Sequence, residues 1–170
     1  MTSTESAAPG AHAPSPRPGQ ADPSALAGLA GLSGLELIRA IRDAKTAPPN
    51  IAGLLGMELI EADEGRAVFT IEAKPAFSNP LGTVHGGVPA TLLDSAMGCA
   101  VHTTLPAGVG YTTLELKINY IKAIRLDAGL LTCVGTVIHL GGRVATAEGR
   151  VTDPEGRLIA HGTTTCMIFR

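Results

Sequence analysis

A chain of 170 residues with 45% hydrophobic content has material for a single domain with a proper core, and its formal charge of −2 provides no broad attraction for nucleic acid. Aromatic residues make up 3% of the chain and tryptophan is absent, which leaves little for stacking on single-stranded bases.

In chain order, residues 1–23 are rich in Ala, Pro, Ser and Gly and almost devoid of large apolar side chains, so they are expected to form a disordered tail. From Ser24 to Lys45, Leu26, Leu29, Leu32, Leu35, Ile38 and Ile41 recur every three residues, which predicts an amphipathic helix weakened by Gly28, Gly31 and Gly34 and ended by Pro48-Pro49. That helix, with its linker to residue 49, could cover a sheet edge, close a substrate tunnel or decorate the surface. A second unit is expected over residues 50–170. Ile51–Gly56 reads as a short helical turn, followed by a hairpin of Met57–Ala62 and Arg66–Ala73 around Asp63-Glu64-Gly65.

A long helix is expected at about Val88–Thr103. Val88, Ala90, Leu92, Leu93, Ala96, Met97, Cys99, Ala100 and Val101 make it apolar on nearly all sides, so it should be buried. Tyr111–Lys122 alternates, with Thr112, Leu114, Leu116, Ile118 and Tyr120 on one face and Thr113, Glu115, Lys117 and Asn119 on the other. Strands at Gly129–Leu140 and Arg143–Thr152, joined at Gly141-Gly142, precede a turn at Asp153-Pro154-Glu155-Gly156 and a last strand, Arg157–Phe169. One long helix followed by antiparallel strands is an α+β pattern. Its economical arrangement is a curved antiparallel sheet wrapped around that helix, with the remaining helix surface covered by a second subunit.

Cys99, Cys133 and Cys166 have no CxxC spacing and no companion His–Cys cluster, so neither a disulfide framework nor a zinc site is expected. Reduced, buried thiols favour a cytoplasmic protein. The chain has no apolar run of about 18 residues and does not open on a basic stretch followed by an apolar one, so no membrane span or secretory signal is expected.

The chemistry concentrates at Asn79-Pro80-Leu81-Gly82-Thr83-Val84-His85-Gly86-Gly87, a polar turn placed directly before the long helix, which carries Asp94. Unpaired N–H groups and the positive end of the helix dipole can hold developing negative charge there, and glycine permits close approach. Seven residues separate Gly87 from Asp94, or about 10 Å along the axis, too far for one small acyl group to touch both. If both serve one reaction, the site must combine the helix start of one subunit with Asp94 of another, which predicts a symmetric dimer with two equivalent sites. An acid in an apolar helix loses hydration when charged, so Asp94 should have either a partner or a raised affinity for its proton. His85 and Asn79 can also be read as turn-stabilising residues, and His102, His139 and His161 have no supporting constellation. No Gly-x-Ser-x-Gly surrounds Ser33, Ser78 or Ser95, and Gly82–Gly87 lacks the Gly-x-Gly-x-x-Gly order of a dinucleotide loop. With no metal set in view, water activation falls to the carboxylate.

The Asn79–Gly87 element, Asp94, the strand Thr112-Thr113-Leu114-Glu115-Leu116-Lys117-Ile118-Asn119-Tyr120 and Gly141-Gly142-Arg143 together resemble the hotdog-fold acyl-CoA thioesterases of the phenylacetate-pathway (PaaI-like) type, from about Ile51 to Ile168. The resemblance implies hydrolysis of an acyl- or aryl-CoA thioester to the acid and free CoA, with CoA as part of the substrate and no separate cofactor. Gly86 N–H, assisted by Gly87, would stabilise the oxyanion, and Asp94 of the facing subunit would act as nucleophile or general base. Asn79 and His85 would orient the water or the turn, and the Thr113 hydroxyl would help hold the water. A dimer of dimers is a further expectation from the resemblance. CoA phosphates call for local cations, for which Lys122, Arg125 and Arg143 are the candidates. The rival readings are a non-catalytic acyl-CoA-binding or regulatory hotdog domain and an enoyl-CoA hydratase, although the Asp and His five residues apart that mark such hydratases are missing.

Overall fold

The computed structural model describes residues 31–44 and 50–169, so the proposed tail over residues 1–23 and Pro48-Pro49 lie outside the described residues. Of the helix expected over Ser24–Lys45, residues 24–30 lie outside the described residues, and the pattern is interrupted at residues 31–33. Gly31 has φ 107°, Leu32 and Ser33 are not helical, and helix α1 runs Gly34–Ala44. The start is set by a capping box. The Glu36 carboxylate accepts the Ser33 amide at 2.8 Å, while the Glu36 amide donates back to the Ser33 hydroxyl at 3.4 Å.

Two attachments hold α1. Gly34 N–H donates to the Leu105 carbonyl at 2.9 Å, and a Cβ at Gly34 would run into the His102 backbone, so this close approach depends on glycine. Arg39 donates to the Ala62 carbonyl at 2.9 Å and to the Asp63 carboxylate at 2.8 Å. Of the three uses open to this helix from sequence, covering the sheet edge is therefore one that it serves.

Helix α2, Ile51–Leu55, is capped by the Asn50 side chain, which accepts the Gly53 amide at 2.8 Å, and stops at left-handed Gly56. Strands β1 (Met57–Asp63) and β2 (Arg66–Glu72) form the expected hairpin. After a loop that includes a 3-10 turn at Pro75–Phe77 comes helix α3, Gly87–His102. Strands β3 (Gly110–Tyr120), β4 (Leu130–Leu140), β5 (Val144–Thr152) and β6 (Leu158–Phe169) complete one antiparallel sheet in the order β1-β2-β4-β5-β6-β3. This is the hotdog arrangement: an α+β fold with a sheet wrapped around a long helix.

Small residues let α3 sink into that sheet. Ala62, Ala67, Gly135, Gly149 and Gly162 occupy one register row across β1, β2, β4, β5 and β6. A Cβ at Gly149 would fall 2.7 Å from a Leu93 methyl, and one at Gly135 would fall inside the Ala96–Met97 peptide. Leu92, Leu93, Ala96, Met97, Ala100 and Val101 are fully buried there.

Two pattern-based expectations need correction. The alternation of β3 is interrupted by a bulge at Leu114, between the pairs Thr113–Cys166 and Glu115–Thr165. Tyr111 and Thr113 therefore turn inward before the bulge and Leu116 and Ile118 after it, while Thr112, Leu114 and Tyr120 are exposed. Helix α3 is also not buried all round. One of its faces carries Thr91, Asp94, Ser95 and Cys99, all half-buried, at helical spacing.

Candidate active site

The loop before α3 is organised by Asn79. Its side-chain oxygen accepts the amides of Leu81 at 2.9 Å and Thr83 at 3.2 Å, and its amide nitrogen donates to the Thr83 hydroxyl at 3.0 Å. The loop closes with Val84 N–H on the Ile124 carbonyl at 2.9 Å and His85 N–H on the Phe77 carbonyl at 2.8 Å, delivering His85-Gly86-Gly87 to the start of α3.

The Gly86–Gly87 peptide is gripped on both sides. Gly87 N–H donates to His85 Nδ1 at 2.9 Å, and the Gly86 carbonyl accepts the Tyr120 hydroxyl at 2.9 Å. The Gly87 amide is thus occupied, whereas the Gly86 amide has no hydrogen-bond partner among the described residues. Of the two donors considered from sequence, the structure leaves Gly86 open. A Cβ at Gly86 would meet the Tyr120 ring at 3.3 Å, so glycine and tyrosine fit each other closely.

Asp94 lies on the half-buried face of α3, within reach of the edge strand β3. Its carboxylate accepts the Thr113 hydroxyl of the same chain at 2.8 Å, which supplies the partner expected for an acid in this helix. The inward turn of β3 before its bulge makes this bond possible. Asp94 and Thr113 belong to the wall of a cavity of about 780 Å³, together with Ser95, Cys99 and Tyr111 and a set of aliphatic side chains from α1, α2 and β1. The carboxylate is the acceptor in a mainly apolar cleft, an arrangement able to take a proton from, or attack, a carbonyl compound held there.

The cysteine in this wall is not poised to react. Burial, with the neighbouring Asp94 charge, pushes the Cys99 thiol up to about 12, and burial does the same for Cys133. Burial also raises the Tyr111 phenol far above its ordinary range and lowers His102, whose ring lies 5.4 Å from that of Tyr111. Among the described residues no group of His, Cys, Asp and Glu could hold a metal ion.

The three candidate cations do not converge within one chain. Lys122 and Arg125 follow β3 on the Gly86 side, and Arg125 is paired bidentately with Asp127, both contacts 2.8 Å. Arg143 sits at the other end of the sheet. The pairs Tyr120–Ala160 and Val144–Met167 are seven residues apart on β6, or about 23 Å along the strand.

Sequence reasoning missed Tyr120 as a site residue and left the place of α1 open. Tyr120 had a signal in its position at the end of a strand following the glycine turn, but only the fold brings residues 34 apart in the chain together. Ser95 was missed because helix pattern alone treats its face of α3 as core, and Tyr111, on β3, because only the fold brings it to that face.

Residues 81–160 match the thioesterase superfamily. Over 127 residues the chain is 27% identical to the Homo sapiens acyl-coenzyme A thioesterase 13, covering 74% of this chain and 89% of that protein. Among solved structures it is similar to a phenylacetic acid degradation-related protein of Ralstonia eutropha, with 30% identity, TM-score 0.69, and coverage of 76% of this chain and 98% of that one. It also resembles a Streptococcus pneumoniae protein, described as a hypothetical thioesterase and solved with coenzyme A, at 31% identity and TM-score 0.61 over 66% of this chain and 85% of that one.

Proposed function

This chain belongs to the thioesterase superfamily as a hotdog-fold, PaaI-like thioester hydrolase, and on that premise we propose that its substrate is an acyl- or aryl-CoA, cleaved to the carboxylic acid and free CoA. The observation that carries this reading is the Asp94 carboxylate, held by Thr113 on the wall of an apolar cavity.

The thioester carbonyl oxygen accepts the Gly86 amide, which stabilises the negative charge that develops as the carbonyl carbon becomes tetrahedral. His85 and Tyr120 fix the adjoining peptide, so that little reorganisation is needed when charge develops. Asp94 acts as nucleophile or as general base on a water. In the second case it takes a proton from the water as oxygen attacks the carbonyl carbon. Collapse of the tetrahedral intermediate breaks the C–S bond, and the departing thiolate takes the proton that Asp94 removed from the water, which restores the carboxylate. The Thr113 hydroxyl positions the Asp94 carboxylate and, through it, the water; Asn79 acts by holding the loop.

Gly86 caps the helix that carries Asp94 and lies eight residues, or about 12 Å along the axis, from it, so each site draws Gly86 from one subunit and Asp94 from the other. An open edge supports that pairing. Among the described residues, strand β3, 11 residues long, is hydrogen-bonded to β6 alone, and Leu114, Tyr120 and Ile121 are exposed along or just beyond it. Lys122, Arg125 and Arg143 are the proposed contacts to CoA phosphates, and one CoA meets Arg143 together with Lys122 only if they come from different subunits. No helix among the described residues is long and apolar enough to cross a membrane. The cysteines at 99, 133 and 166 are free, which favours a reducing, cytoplasmic setting.

Thiol release from a panel of short-chain, medium-chain and aryl acyl-CoAs tests the reading, with native protein and Asp94→Ala compared. Hydrolysis lost in the variant while the dimer stays intact is the expected result. Tight binding without release from any member of the panel would instead make this a regulatory acyl-CoA-binding domain.

A further inference from the structure

The region matched to the superfamily begins at residue 81, yet much of the cavity wall at Asp94 comes from residues before it. Ile38 and Ile41 of α1, Leu54 of α2, Leu59 of β1 and Phe69 of β2 meet Asp94 around one cavity. Helix α1 is fixed over that cavity by two attachments at its N-terminal half, Gly34 on the carboxyl end of α3 and Arg39 on the β1–β2 turn. Ile38 is buried, whereas Ile41, one turn further on, is 41% exposed despite facing the cleft. An isoleucine left half-open to a cavity is a surface that an apolar ligand can cover.

We infer that α1 is the roof of the acyl pocket and that Ile38 and Ile41 determine which acyl groups are admitted: a medium-length aliphatic chain or a ring, lying between α1 and the Asp94 face of α3. The inference rests on the reading that Asp94 acts on a thioester, because continuity of the cavity with that carboxylate is what makes the occupant an acyl group. The apolar part of the lining, Ile38, Ile41, Leu54, Met57, Leu59 and Phe69, gains from each methylene that it removes from water, so affinity rises with acyl length until the roof is reached. An acetyl group carries a single methyl beyond its carbonyl and so has the least apolar surface to place against α1.

Binding is measured by calorimetry in the Asp94→Ala background, where the ligand is not consumed, using free CoA, acetyl-CoA and octanoyl-CoA. Octanoyl-CoA is expected to bind at least tenfold more tightly than acetyl-CoA. Adding Ile41→Trp, which fills the space beneath the roof, should reduce that ratio to about threefold or less. Ile41→Glu, which sets a charge against the chain, should act in the same direction. Because Ile41 is partly exposed, neither change needs to disturb the core, and unchanged thermal midpoints verify this. Equal affinities for acetyl- and octanoyl-CoA, or a ratio that Ile41→Trp and Ile41→Glu leave intact, overturns the inference.

The same ratio of kcat/KM is read in the protein with Asp94 present. Hydrolysis whose chain-length preference ignores both Ile41 variants keeps the thioesterase reading and removes the roof. A chain-length preference in binding that vanishes on substitution at Ile41, in a protein that releases no thiol, keeps the roof and removes the hydrolase.

Discussion

The Thr113 hydroxyl donates to the Asp94 carboxylate at 2.8 Å, joining the first half of β3 to the middle of α3 across 19 residues of chain. A hydrogen bond to a charged acceptor is worth about 1.5–3 kcal/mol, and its loss here acts on the reacting group. Thr113→Val keeps the shape and removes the hydroxyl. It should lower kcat by about 10- to 100-fold while KM changes little, and Thr113→Ser should restore most of the loss. An equal fall in kcat for Val and Ser variants would assign the residue to packing.

Tyr120 predicts a similar split by a different route. Tyr120→Phe retains the ring that packs on Gly86 and deletes the hydroxyl that holds the Gly86 carbonyl. The Gly86–Gly87 peptide then keeps its tie to His85 and a longer bond from the Ala90 amide to the Gly86 carbonyl, 3.2 Å. Steady-state kinetics should give a kcat about tenfold lower with KM within about twofold, because an oxyanion donor matters chiefly in the transition state. A higher KM at constant kcat would place Tyr120 in substrate binding instead.

The contrast between Thr113 and Tyr120 shows where sequence was informative. The glycine turn, Asp94 and the run of strands are contiguous patterns with fixed periods, so the α+β fold and its central helix could be read directly. Thr113 was assigned by resemblance, yet its inward direction depends on the Leu114 bulge, which two-residue alternation cannot reveal. Tyr120 and Gly86 meet only because β3 ends beside the start of α3. The break before Gly34 was not legible for another reason: apolar residues continue with a period of three through Gly31 and Gly34, and the capping box at Ser33 and Glu36 overrides them. Gly34, read as a weakness in the helix, is the point at which the helix docks.

Cys99 offers a test by chemical modification. Its thiol is pushed up to about 12 because burial and the Asp94 charge both disfavour the thiolate. At pH 8 the thiolate is then roughly one part in ten thousand, and reaction becomes appreciable only as pH rises toward that value. Folded protein treated with iodoacetamide at pH 8 should show no adduct at Cys99 by mass spectrometry and should keep its activity. Rapid alkylation of Cys99 in the folded state would contradict the buried environment described for that face of α3.

The glycine row beneath α3 makes the last prediction, one of stability. At Gly135 a methyl group would fall on the Ala96–Met97 peptide, which is backbone and cannot rotate away, so Gly135→Ala must lift the helix from the sheet. Overpacking of this kind costs about 1–3 kcal/mol or more, and the gain in strand rigidity from replacing glycine, about 0.4–1 kcal/mol, is too small to offset it. Gly142→Ala is the matched control. A Cβ there would meet nothing within 4 Å beyond its chain neighbours, and Gly142 does not have a positive φ, so the same methyl should leave stability within about 0.5 kcal/mol. Urea unfolding of the two variants decides the matter. If Gly135→Ala is as stable as Gly142→Ala, the helix does not need glycine in order to lie against β4.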